Sequence, residues 1–329
     1  MDPVEEMRAS IARKHVSRRA LLRTMGGVAA LGGVAALAGC GGGSRSDQFS
    51  NAPPGGTNPG GPPPPPASRI TDADIFNFAL NLEYLEAEFY SLATTGRTID
   101  QAGVGVTGTG TAGGVSVKAN PQVPFTTPAI RQFAEELAAD EIAHVRFLRQ
   151  VLGSAAVARP AIDLQASFNT AAQKAGIGPN FDPFANETNF LLGAFIFEDV
   201  GVTAYIGASP LIQNPDFLED AAGILAVEGY HAGGIRTRVF DLGSTGHNLA
   251  QQISDLRNTA DGAGDKDQGV VLNGAFNLVP SDTNGVAFSR TTSEVLRIVY
   301  LTPGATPVSR GGFFPNGVNG TIRTANTNS

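Results

Sequence analysis

The chain has a single cysteine, Cys40, and no tryptophan among its 329 residues. One thiol excludes a disulfide within the chain and a metal site built from thiolates. Basic side chains are also scarce: 23 Lys and Arg stand against 30 Asp and Glu, a net charge of −7. Nucleic-acid binding needs a basic footprint, and none is present. Abundant glycine without tryptophan predicts much loop and coil around a modest core.

Six of the 23 basic residues fall within residues 1–39. Ser17-Arg18-Arg19-Ala20-Leu21-Leu22 precedes an apolar stretch at 25–38. Twin arginines before a short apolar core read as a twin-arginine export signal over residues 1–39. The stretch is too short, and too rich in Gly and Ala, for the roughly 20 residues of a spanning helix. Leu37-Ala38-Gly39-Cys40 resembles a lipobox, in which the cysteine becomes the lipidated first residue of the mature protein. A plain secretory signal with a cysteine at its cleavage site is the alternative. The expectation is an exported periplasmic or cell-envelope lipoprotein, held to a membrane through Cys40. Loss of residues 1–39 would leave a net charge of −10. Residues 41–69 hold seven Gly and eight Pro, so 40–69 reads as a lipidated cysteine and an unfolded tether.

A doubled pattern lies beyond the tether. Glu83 is followed seven residues later by Tyr90, and then comes Glu141-Ile142-Ala143-His144. The same signals recur in order: Glu198 with Tyr205, then Glu228-Gly229-Tyr230-His231. Seven residues make two helical turns, and a three-residue step puts Glu and His side by side on one face. Two helices with a lone Glu and two with Glu-x-x-His supply the ligands of a di-metal carboxylate site inside a four-helix bundle. Oxygen and nitrogen donors without sulfur admit two ions of Fe or Mn, and also Zn.

The punctuation fits four helices over 70–242: about 72–93, 128–152, 186–207 and 216–242. Thr127-Pro128 is a helix start, and Gly153 and Gly243 are stops. Residues 104–117 alternate Gly, Thr and Val and predict a hairpin turning near Ala112-Gly113-Gly114. Residues 154–184 form one long crossover, with a short helix about 168–174. Residues 243–329 read as an irregular extension wrapping the bundle. It carries one short helix at 291–301, where Thr291 and Glu294 are spaced as a capping box.

The candidate residues differ in how firmly the text supports them. Glu198 sits in strongly apolar sequence, and neither its helix nor the first offers a basic partner. A buried carboxylate costs several kcal/mol unless paired or metal-bound. On the first helix, Glu83 repeats the Glu-to-Tyr spacing. Glu86 shares its face as an alternative ligand or an outer acceptor. Glu88, rotated about 140° from Glu83, is expected to face solvent. Tyr90 and Tyr205 can hydrogen-bond a ligating carboxylate, act as one-electron donors, or simply fill the core. Asp140 can orient a metal-bound imidazole, whereas the matching position before Glu228 is Val227. His15 and His247 read as solvent histidines.

With these motifs in hand, the chain resembles the ferritin-like superfamily, in the Glu…Tyr, Glu-x-x-His pattern of bacterioferritin and rubrerythrin. The wording Phe78-Ala79-Leu80-Asn81-Leu82-Glu83-Tyr84-Leu85-Glu86-Ala87-Glu88-Phe89-Tyr90 is similar to the desiccation-related ferritin-like proteins, as is Gly311-Gly312-Phe313-Phe314-Pro315. The resemblance implies an all-α bundle with one long crossover and a stress-linked role without a defined reaction. The tether, the insertion after the first helix and the wrapping tail argue against a 24-subunit cage, while a homodimer stays open. Two classes of function remain: an exported redox enzyme acting on O₂ or peroxide, and a non-catalytic envelope protein riveted by metal.

Overall fold

The computed structural model describes residues 70–326 except 263 and 305. The expected signal, Cys40 and the tether lie outside the described residues. Among those described, the molecule is an all-α four-helix bundle with one long crossover, as expected.

Helix α1 spans Asp72–Thr95. Thr71 caps it in a reciprocal box with Asp74, and Gly96 ends it in the left-handed region at φ 72°. Helix α2 (Pro128–Leu152) starts on proline and stops at Gly153. After the crossover and its short helix α3 (Ala166–Lys174), α4 covers Glu187–Ala208 and α5 covers Pro215–Asp241. The Asp72 carboxylate accepts from the backbone N–H groups of Gln213 and Asn214, so α1 and α5 start side by side. Helix α4 is apolar enough to cross a membrane, yet 83% of its most apolar window is buried inside the fold. It is a core helix, packed with α1 at the centre and flanked by α2 and α5.

The core is larger than the missing tryptophan suggests, because phenylalanine fills it. Phe89 lies between 5.5 and 5.7 Å from the rings of Phe168, Phe184, Phe190 and Phe197. Phe313 closes the cluster against Phe168 and Phe197.

Three expectations are corrected. Residues 104–117 form no hairpin. Strand β1 (Val115–Ser116) pairs in parallel with β2 (Ile162–Asp163) of the crossover instead. A Cβ on Gly113 would fall 2.2 Å from the backbone N of Ala161, so glycine lets the two segments lie flat together. Glu88 does not face solvent: it is fully buried against the Arg159 guanidinium, which also holds Asp100 at 2.7 Å. The extension contains a second helix, α6 (Gly243–Asp261), beginning where α5 ends. Its buried face includes Arg257 and Asp261, so charges interrupt the apolar period that would have revealed it. A small hairpin follows, β3 (Val271–Leu272) with β4 (Ala275–Phe276). Helix α7 (Thr292–Val299) has the expected Thr291/Glu294 capping box.

The extension is joined to the bundle by buried charges. Asp199 of α4 accepts from Arg236 of α5 at 2.8 Å and from Arg257 of α6 at 2.9 Å. Arg257 reaches on to Asp267 at 2.6 Å, and Arg290 joins Asp267 at 2.9 Å to Asp261 at 2.7 Å. Three guanidinium groups and three carboxylates balance there, all but excluded from water.

Candidate metal centre

The doubled motif converges at the middle of the bundle. Glu83 and Glu86 come from α1, Glu141 and His144 from α2, Glu198 from α4, and Glu228 and His231 from α5; none is more than 8% exposed. Two groups form around the two imidazoles. His144 Nδ1 lies 3.1 Å from Glu83 Oε2, 3.4 Å from Glu141 Oε2 and 3.9 Å from Glu228 Oε1. His231 Nδ1 lies 3.0 Å from Glu141 Oε1 and 3.5 Å from Glu198 Oε2. Glu141 therefore turns one oxygen to each histidine.

Hydrogen bonding tests whether this donor set suits cations. Both oxygens of Glu141, one oxygen each of Glu86, Glu198 and Glu228, and Nδ1 of His231 are buried without a hydrogen-bond partner. These are six of the ten such atoms among the described residues, gathered at one place. Buried polar groups are normally satisfied, and each exception needs a reason. The 3.0 Å approach of Glu141 to His231 Nδ1 is not aligned as a hydrogen bond. Lone pairs aimed at a common third atom produce that geometry. The residues fit a pair of metal ions.

Around them, the orienting groups are crossed between helices. The Tyr90 hydroxyl of α1 donates to Glu198 of α4, and the Tyr205 hydroxyl of α4 donates to Glu83 of α1. Asp140, whose side chain is 43% exposed, holds His231 Nε2 at 3.1 Å and so turns Nδ1 inward. Val227, at the matching position before Glu228, has no polar group to offer His144, so the groups around the two imidazoles differ. His247 is not a free solvent histidine: its Nε2 lies 2.9 Å from the Phe240 carbonyl and its ring stacks on Phe240.

Without metal, most of these buried groups are shifted toward their protonated forms. Burial opposes the charged form of His144, yet Glu83 and Glu141 overcome it and hold the imidazole up at about 11. His231 is similarly raised to about 12 by Glu141 and Glu198 against burial. Burial, then the Glu83 charge, pushes Glu141 up to about 7. Glu86 and Glu228 rise well above the usual carboxylate range through burial and the neighbouring carboxylates. Burial would raise Glu83 too, but the His144 charge keeps it low. Burial and the adjacent glutamates drive both tyrosines well above 10.

Comparison with known proteins agrees with this architecture. Residues 71–241 match the family described as Ferritin-like domain. Desiccation-related protein PCC13-62 of Craterostigma plantagineum is 33% identical over 270 residues, covering 76% of this chain and 83% of that protein. Ferritin-like catalase Nec2 of Nesocodon mauritianus is 30% identical over 271 residues, 76% of this chain and 84% of that protein. No solved structure matches the chain significantly.

Proposed function

Because the chain belongs to the ferritin-like domain family, we propose that it is a stress-linked di-metal carboxylate protein. It holds two Fe or Mn ions and turns over peroxide or O₂. The observation that carries this reading is the set of six unpartnered, buried donor atoms around two imidazoles. A relative named as a catalase supports peroxide as the substrate class.

Bound ions of either metal would supply one-electron redox and Lewis-acid chemistry toward an O–O bond. The protein supplies the rest. Glu83 and His144 would hold one ion and Glu198 and His231 the other, with Glu141 and Glu228 shared between them. Each tyrosine hydroxyl fixes one oxygen of its carboxylate and turns the second toward an imidazole, Glu83 Oε2 at 3.1 Å from His144 Nδ1 and Glu198 Oε2 at 3.5 Å from His231 Nδ1. Asp140 sits at the rim, in water on one side and on His231 Nε2 on the other, so it can pass a proton outward. The phenylalanine core keeps bulk water away and so keeps the electrostatics strong.

The deep burial of all seven side chains also favours a second reading, in which the ions rivet four helices and no turnover occurs. The discriminating measurement is O₂ release from hydrogen peroxide by protein loaded with Mn(II) or Fe(II). Sustained release that disappears in Glu141→Ala supports the enzyme, whereas a loaded, folded and inert protein supports the rivet. The proposal extends to location: Arg18, Arg19 and Cys40 support an exported lipoprotein, periplasmic or in the cell envelope.

A further inference from the structure

The two halves of the motif are not equal. Glu83 and Tyr90 on α1 correspond to Glu198 and Tyr205 on α4, at identical spacing. Three residues past the glutamate the repeat breaks, with Glu86 on α1 and Gly201 on α4. Both sides of the break face the centre.

Glu86 is 6% exposed, and its Oε2 accepts no hydrogen bond. A buried carboxylate oxygen left unpaired destabilises a fold, so packing does not explain the residue. Glu86, Glu198 and Glu228 can each bring an oxygen within 4.8 Å of the other two. Glu198 and Glu228 also leave a buried oxygen unpartnered there. At Gly201, an added Cβ would stand 2.2 Å from Glu228 Oε2. Glu228 therefore occupies the space that a side chain on α4 would fill.

We propose that Glu86 is a seventh protein ligand, serving the ion on the Glu198 and His231 side, and that Gly201 is the gap that admits Glu228 beside it. This rests on the di-metal reading and makes its two ions unequal. One would have Glu86, Glu141, Glu198, Glu228 and His231, and the other Glu83, Glu141, His144 and Glu228. Four carboxylates balance two divalent ions, and the fifth adds a negative charge. The better-ligated position fills first.

Titration of metal-free protein with Mn(II), following the free ion by its electron paramagnetic resonance signal, tests the assignment. The wild type is expected to bind two ions in unequal steps. Glu86→Gln keeps the side-chain size and is expected to weaken the tighter step at least tenfold, so that the steps converge. His144→Ala is expected to lose the weaker step and keep the tighter one. Metal-free Glu86→Gln is expected to melt no lower than metal-free wild type, because the change removes a carboxyl group from among carboxylates. A Glu86→Gln isotherm superimposable on the wild type would overturn the proposal. So would a marked drop in its metal-free melting temperature, which would make Glu86 structural. A wild type that takes fewer than two ions would instead overturn the underlying di-metal reading.

Discussion

Gly201→Ala separates the stability of the fold from the competence of the centre. The new Cβ would lie 2.2 Å from Glu228 Oε2 and 2.9 Å from its Cδ. Ordinary contact begins near 3.4 Å, so the carboxylate must retreat by ~1.2 Å. The atoms in the way are the free end of a flexible side chain, and they can move. Overpacking of this kind costs roughly 1–3 kcal/mol, while alanine in place of glycine returns about 1 kcal/mol of helix propensity. The metal-free variant is thus expected to lose about 0–2 kcal/mol, at ~2–4 °C of melting temperature per kcal/mol. The centre suffers more, because Glu228 belongs to two of the three groups of donors. A ligand displaced by about 1 Å is expected to lower Mn(II) affinity at least tenfold, the scale seen when even supporting residues are removed. Calorimetry of the metal-free protein and metal content after dialysis give the two readouts. Gly229→Ala is the control, since a Cβ there meets nothing within 4 Å although it adjoins Glu228. Unchanged affinity in Gly201→Ala, with Gly229→Ala equally neutral, would refute the argument.

Metal binding is expected to release protons. The His144 and His231 imidazoles, held up at about 11 and 12 by the glutamates around them, keep their protons at neutral pH without metal, and burial shifts the Glu86 and Glu228 carboxyls toward their protonated forms. Binding heats should then vary with the ionisation enthalpy of the buffer, and buffer-independent heats would contradict the picture. Stability follows the same groups. Glu141 is raised from 4.5 to about 7 and the imidazoles from 6.5 to about 11 and 12, so the folded state binds the extra protons. Their contribution is whole below the unfolded values and lost as pH rises through the folded ones. Metal-free melting temperature should therefore fall from about pH 5 upward, and metal-loaded protein should not follow it. Arg257→Ala leaves Asp199 and Asp267 short of a partner. It is expected to cost about 3–5 kcal/mol in chemical denaturation, and a loss under 1 kcal/mol would remove the network from the account of stability. Cys40→Ser is expected to move the protein from the membrane to the soluble fraction, and Arg18→Lys with Arg19→Lys to stop export. Continued membrane association or export, respectively, would reject the lipoprotein and the twin-arginine route.

The centre was legible because helical spacing is rigid and buried charge is costly. Glu-x-x-His in apolar text leaves little else for those residues to do, and Glu83, Glu141, His144, Glu198, Glu228 and His231 do converge. Glu88 was misread for a related reason. A helical wheel assumes one buried stripe, whereas α1 is buried all round from Ile75 to Ala93. The partner that makes Glu88 tolerable, Arg159, lies 71 residues away and belongs to no pattern. The crossed tyrosine bonds were equally hidden: spacing shows that Tyr90 shares a face with Glu83, not that it reaches Glu198. The signal for Gly201 was present in the comparison of the two halves, where the position three past the glutamate is Glu86 on α1 and glycine on α4.

The buried ladder of arginine and aspartate has a consequence for synthesis. The segment matching the family ends at 241, but a chain released there would lack Arg257, Asp267 and Arg290. Asp199 would keep one of its two arginines. Arg236 would lose the carbonyls of Gln268, Gly269 and Asn277 that fill its remaining donors. On a ribosome, residue 290 emerges about 50 residues after the bundle is complete, a delay of roughly 3–10 s at 5–20 residues per second. For that interval the four helices exist with an unsatisfied flank. Docking of the C-terminal quarter would then come last, and a nascent chain stalled before it would expose buried charge partners to chaperones and proteases.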